Sequence, residues 1–90
     1  ESTLSGTPRV GFAVVDSLSG AEIGLWELTP SVTLDVEVDE VFVVLSGEAT
    51  VHFLDGGPPL ELRVGSVVRL AGGSRTRWEV RQTLRKLFIA

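Results

Sequence analysis

The chain has 90 residues and a hydrophobic fraction of 43%, enough for one domain with its own core and no more. It has no cysteine and a single histidine, His52, which excludes disulfide frameworks, thiol nucleophiles, cysteine-ligated metals and any site that needs two imidazoles. Twelve acidic against eight basic residues give a net charge of -4, so DNA or RNA is not an expected partner.

No apolar run approaches about 18 residues and no basic start precedes an apolar stretch, so the expected location is cytoplasmic, without membrane contact. Fourteen valines, ten glycines and four prolines favour short strands separated by turns. No stretch keeps helical apolar spacing without a glycine or proline interrupting it, and the expected fold class is all-β.

In chain order, residues 1–8 are small and polar and read as a flexible arm, leaving 9–90 as the single domain. A first strand is expected over 9–15, ended by Asp16-Ser17-Leu18-Ser19-Gly20, and a second over 22–28 through Trp26, stopped by Thr29-Pro30-Ser31. Residues 32–39 alternate without fault. Val32, Leu34, Val36 and Val38 share one face, expected to be buried; Thr33, Asp35, Glu37 and Asp39 share the other, expected to be wet.

Residues 40–46 are apolar on both faces, so this strand is expected to be covered on both. Ser46-Gly47-Glu48 reads as a tight turn into a return strand over 49–54. Asp55-Gly56-Gly57 is a strong hairpin signal, because Asp-Gly accepts positive φ. Short strands over 60–64 and 67–70 follow, then a loop at Ala71-Gly72-Gly73-Ser74 and two last strands over 75–81 and 84–89. About nine short, evenly spaced strands argue for a sandwich or small barrel. There is no linker, repeat or low-complexity tract.

The stretch Asp39-Glu40-Val41-Phe42-Val43-Val44-Leu45-Ser46-Gly47-Glu48-Ala49 resembles the first motif of the cupin superfamily, with Glu40 and Gly47 at that motif's spacing. Gly65-Ser66-Val67-Val68-Arg69-Leu70-Ala71-Gly72-Gly73 is similar to the second, with Ala71 where proline is usual. Trp26-Glu27 and Trp78-Glu79-Val80 resemble the small cupin domain typified by (S)-ureidoglycine aminohydrolase and its ethanolamine-utilisation relatives. The resemblance covers most of residues 22–89. It implies a small RmlC-like jelly-roll barrel, and in itself suggests metal-dependent hydrolysis of an N-acylated amine.

Metal-binding cupins resembling this chain place a His-x-His pair shortly before the motif glutamate. Here Leu34 and Val36 stand at those positions, or Thr33 and Asp35 at the longer spacing, and Thr76 replaces the ligand of the second motif. Glu40 alone remains of the four, and one carboxylate does not hold Fe, Mn or Ni. No metal and no cofactor is expected.

Glu40 is the candidate acid/base or ligand-binding carboxylate, expected to face the interior with Phe42 and Val44; its structural reading is an ion pair with an arginine such as Arg69 or Arg77, or exposure by a bulge at Asp39. Trp26, Phe42, Thr76 and Trp78 are expected to line a ligand pocket, with simple filling of the barrel as the other reading of the large rings. His52 shares a face with Thr50 and reads as a surface histidine. Arg75, Arg77, Arg81, Arg85 and Lys86 read as a solvated basic face, or one paired with Asp35, Glu37 and Asp39.

The functional expectation is a metal-free cupin domain that binds a small organic molecule or serves as a structural or regulatory module. The alternative is a ureidoglycine aminohydrolase-like or isomerase-like enzyme using Glu40 as acid/base. Val41, Val43 and Leu45 form an apolar face that needs a cover, and a homodimer through these residues is expected unless residues 10–15 cover them.

Overall fold

Valine-rich segments between glycine turns become eight strands in the computed structural model, which describes residues 2–90 and contains no helix among them. The strands are β1 (Ser2–Ser5), β2 (Val10–Leu18), β3 (Ala21–Leu28), β4 (Ser31–Val36), β5 (Glu40–Phe53), β6 (Leu60–Leu62), β7 (Val67–Leu70) and β8 (Arg75–Ile89). All pairings are antiparallel, in one curled sheet organised around β8.

On one side, the first half of β8 pairs with β4, from Val36↔Arg75 to Ser31↔Val80, and its second half pairs with β3, from Leu28↔Leu84 to Ile23↔Ile89. On its other side β8 follows β5 from Phe53↔Thr76 to Val41↔Ile89. β5 carries β6 and β7 on its far edge, while β1 and β2 extend the sheet beyond β4 and β3. This is a jelly-roll barrel of the expected class.

The core comprises Leu28, Phe42, Val44, Ala49, Val51, Leu62, Leu70, Trp78, Val80, Leu84 and Phe88. Each large side chain among them contributes about 1.5–3 kcal/mol by leaving water. The inner face of β8 is even-numbered, from Thr76 to Phe88, with Gln82 alone exposed. That of β5 changes parity between Val44 and Ala49.

This parity change corrects the expected turn at Ser46-Gly47-Glu48. β5 runs unbroken for 14 residues, with register shifts between Val44 and Ala49. Gly47 has φ 96°, and a Cβ there would lie 2.2 Å from the Thr83 carbonyl oxygen. Its glycine is needed because β8 crosses closely over a bulge, not because the chain reverses. The expected break between 81 and 84 is likewise absent: β8 is one strand of 15 residues.

The segment expected as a flexible arm contributes β1, which pairs with β4 through Ser2↔Leu34 and Thr3↔Thr33. Backbone pairing on an open sheet edge needs no apolar side chains.

β4 is inverted relative to expectation. Thr33 and Glu37 are buried, whereas Val36 and Val38 are 62% and 60% exposed. The cause is register. Thr33 lies opposite Trp78 and Asp35 opposite Thr76, and cross-strand partners point to the same side of a sheet. Because Thr76 and Trp78 face inward, the polar positions of β4 do so too. Residues 37–39 then leave the strand, pinned by a hydrogen bond from the Gly72 N–H to Asp39 Oδ1 (2.8 Å), and Glu40 resumes with its side chain inside.

Candidate functional site

The inverted β4 leaves a cavity of about 360 Å³ inside the barrel, between β3, β4, the start of β5 and β8. Its wall includes Trp26 and Leu28 from β3, Thr33 and Asp35 from β4, Glu37, Glu40, and Trp78 and Lys86 from β8. Phe12, Val36 and Val38 also line it and are all exposed, forming an apolar rim.

Glu37 is held on both its backbone and its side chain. Its N–H donates to the Ser74 carbonyl and its carbonyl accepts from the Gly73 N–H, each at 2.8 Å. Its Oε2 accepts from Thr76 Oγ1 (2.6 Å) and from Trp78 Nε1 (2.9 Å). Charge-assisted bonds of this kind are roughly twice as strong as neutral ones. They make a carboxylate tolerable in a wall otherwise built from rings and methyl groups.

Glu40 has a different partner from the arginines expected. Lys86 Nζ donates to Glu40 Oε2 at 2.5 Å, and the two side chains are only 6% and 11% exposed. The Lys86 ammonium sits over three rings, 4.4 Å from the Phe42 centroid, 4.7 Å from Trp26 and 5.2 Å from Trp78. A desolvated cation over an aromatic face gains about 2 kcal/mol. Carboxylate and rings together replace the water this ammonium has lost.

Of the residues expected to form a pocket, Trp26, Glu40 and Trp78 line the cavity. Thr76 and Phe42 stand behind the wall: Thr76 orients Glu37, and Phe42 packs beneath Lys86. His52 lies outside it, on the outer face of β5, with Nε2 3.0 Å from Glu79 Oε1.

The basic cluster does not act as one face. Arg75 pairs with Asp55, Arg81 with Glu61 and Arg85 with Glu27, all on the outside, while Lys86 turns inward. The expected pairing with Asp35, Glu37 and Asp39 does not form, since two of those residues line the cavity.

Glu37 and Lys86 are therefore the site residues that sequence reasoning missed. For Lys86 a signal existed: it shares parity with Trp78, Val80, Leu84 and Phe88, and an unbroken strand over 75–89 puts it inside. For Glu37 none did, because perfect alternation does not say which face is the inner one.

The donor set does not fit a divalent metal. Glu40 is engaged by an ammonium, Glu37 by the Thr76 hydroxyl and the Trp78 indole, and Thr33 adds only a hydroxyl. No group of three histidine, aspartate or glutamate side chains comes together to hold an ion among the described residues. Hydrogen bonding, ion pairing and aromatic contact are what the wall provides.

Residues 15–88 match the family model described as the EutQ-like cupin domain. The EutQ protein of Clostridium difficile superposes with a TM-score of 0.76 at 16% identity, over 92% of this chain and 68% of that one. A protein of unknown function from Acidithiobacillus ferrooxidans gives 0.69 at 27% identity, over 89% and 88% of the two chains. One from Pseudomonas syringae pv. tomato gives 0.82 at 22% identity, over 97% of this chain and 38% of that one. No curated protein matches the chain.

Proposed function

The chain belongs to the family of EutQ-like cupin domains, and from that premise we propose that its barrel is a binding module for a small organic molecule, taken up in the cavity around Glu37, Glu40 and Lys86. One observation carries this reading: the orientation of β4. Turning Glu37 inward while Val36 and Val38 stay exposed opposes what burial alone favours. A strand that violates its own hydrophobic pattern beside a cavity marks a site where folding has yielded to function.

The two tryptophans, Trp26 and Trp78, are the only ones in the chain and both line the cavity, so their indole N–H resonances report on it directly. Screening small organic compounds by NMR should yield binders that shift both indole signals and leave the His52 ring signals in place. A panel whose binders all shift His52 and neither indole would overturn the reading.

A second reading, acid/base catalysis of the ureidoglycine aminohydrolase kind at Glu40, draws support from the Lys86–Glu40 hydrogen bond, which puts a proton donor and an acceptor side by side. We also propose a homodimer through Val41, Val43 and Leu45. Val41 and Leu45 remain 40% and 44% exposed. Across the sheet they continue into Ile89 (opposite Val41), and into Leu87 and Val67 (both opposite Val43). β2, which contains residues 10–15, pairs with β3 and is exposed throughout.

A further inference from the structure

We infer that the ligand of this cavity is a small amphiphilic ammonium compound, with a cationic nitrogen seated at Glu37 and an apolar portion lying toward Phe12, Val36 and Val38. The inference rests on the binding reading above and names the chemistry of what is bound.

The first support is the second oxygen of Glu37. This residue is 8% exposed, and the hydroxyl of Thr76 and the indole of Trp78 both donate to Oε2. Oε1 receives no side-chain donor among the described residues, yet it is not among the buried atoms lacking a partner. It therefore touches the cavity. A carboxylate oxygen held rigidly at a cavity wall is an acceptor prepared for an N–H or O–H donor.

The second support is charge. The wall presents four carboxylates, those of Glu22, Asp35, Glu37 and Glu40, against the single ammonium of Lys86. That ammonium is already neutralised by Glu40 and enclosed by three rings, so it has little left to offer an anion. An anionic ligand would enter a negative field, whereas a cation enters a matching one.

The third support is the gradient from floor to rim. Lys86 shows that this wall already holds one ammonium on carboxylate and aromatic faces. A second ammonium at Glu37 would use the same materials. The mouth, in contrast, is apolar and open: Phe12, Val36 and Val38 are each about 60% exposed. An alkyl group leaving Glu37 toward this rim would cover valines that the fold leaves in water.

The test compares head groups on a constant chain. The 15N-labelled native protein is titrated with butylamine, 1-butanol and butyrate, and with methylamine as the head alone. Butylamine should shift the Trp78 indole signal, because that N–H shares Glu37 with the ligand, and should bind at least tenfold more tightly than 1-butanol. Butyrate should bind more weakly still, and methylamine several-fold more weakly than butylamine. Glu37→Gln should abolish the preference for butylamine over 1-butanol; if that variant does not fold, the comparison on the native protein decides alone. Butanol or butyrate binding as tightly as butylamine would overturn the ammonium assignment and leave the binding reading standing. If none of the four compounds moves either indole signal, the ammonium assignment is overturned, while the binding reading stands or falls on the wider panel described above.

Discussion

Along β8, Val80 and Leu84 belong to the hydrophobic core with Val44, Ala49 and Val51 of β5, whereas Thr76, Lys86 and the indole N–H of Trp78, whose ring also joins that core, are tied to Glu37 and Glu40. Both groups lie on one inner face of one strand, so neither strand propensity nor parity separates them. What differs is the place along the strand. Val80 and Leu84 sit near its middle, beside Ser31 of β4 and Leu28 of β3, and share one apolar cluster with Leu62 and Leu70. Thr76, Trp78 and Lys86 sit toward its two ends, beside Asp35 and Thr33 of β4 and Trp26 of β3, which line the cavity. One half of the interior stabilises the barrel by excluding water. The other half spends part of that stability on a charged, hydrogen-bonded wall.

The largest test of this contrast is the ion pair. Lys86→Met should destabilise by about 3–5 kcal/mol in denaturant unfolding, because it strands the Glu40 carboxylate in a dry setting. Adding Glu40→Leu should restore stability to the native level or above, since a buried pair replaced by apolar side chains is often neutral or better. A double variant as unstable as the single one would mean that the pair itself holds the barrel together, and the contrast would fail. On the dry side, Leu84→Ala, at a position with 0% exposure, should cost about 2–5 kcal/mol with no second-site rescue of this kind.

Much of the frame is legible in the sequence. The Glu40–Gly47 and Gly65–Gly73 motifs led to the barrel, and the strands bearing them are neighbours, with Glu40 opposite Leu70 and Val43 opposite Val67. Gly47 was legible as a special position but not as a bulge, because a positive φ serves a turn and a bulge equally; the nearby Thr83 carbonyl decides it, and that contact is long-range. The expected break between 81 and 84, at polar Gln82 and Thr83, hides Lys86 in the same way, because only an unbroken β8 sets its parity. Strand β4 shows a deeper limit. Its alternation is legible and its orientation is not, since the hydrophobic-inside rule holds for a core and reverses at this polar cavity wall.

The outer surface offers two smaller tests. Val41→Glu should convert the expected dimer to a 9.6 kDa monomer in sedimentation or scattering without unfolding it. A native protein already monomeric at high micromolar concentration would remove the interface, leaving the cavity argument intact. The smallest effect belongs to Asp55, which lies outside both halves of the interior.

Hydrogen bonding to Arg75 holds the Asp55 carboxyl below its usual 3.8, although both side chains are at least half exposed. A carboxylate with a lowered folded value contributes stability above the unfolded value and loses it as pH falls through the folded one. Asp55→Asn should therefore lower the thermal midpoint slightly at neutral pH, with the difference fading as pH falls through the lowered folded value. An equal difference at pH 2 would trace the effect to backbone geometry in the turn instead.

The central position of β8 also governs how the barrel is assembled. β8 follows in the chain every strand it joins, and β3, β4 and β5 all depend on it for their pairing. Before it emerges from the ribosome, the nascent chain can form local hairpins such as β2–β3 and β5–β6 but cannot close the core. Closure of the barrel therefore waits on β8, is dominated by distant pairings, and is on the order of milliseconds to seconds as for other all-β domains. During synthesis the unpaired edges of β3, β4 and β5 stay open to neighbouring chains, which makes the interval before β8 docks the period of greatest exposure to aggregation.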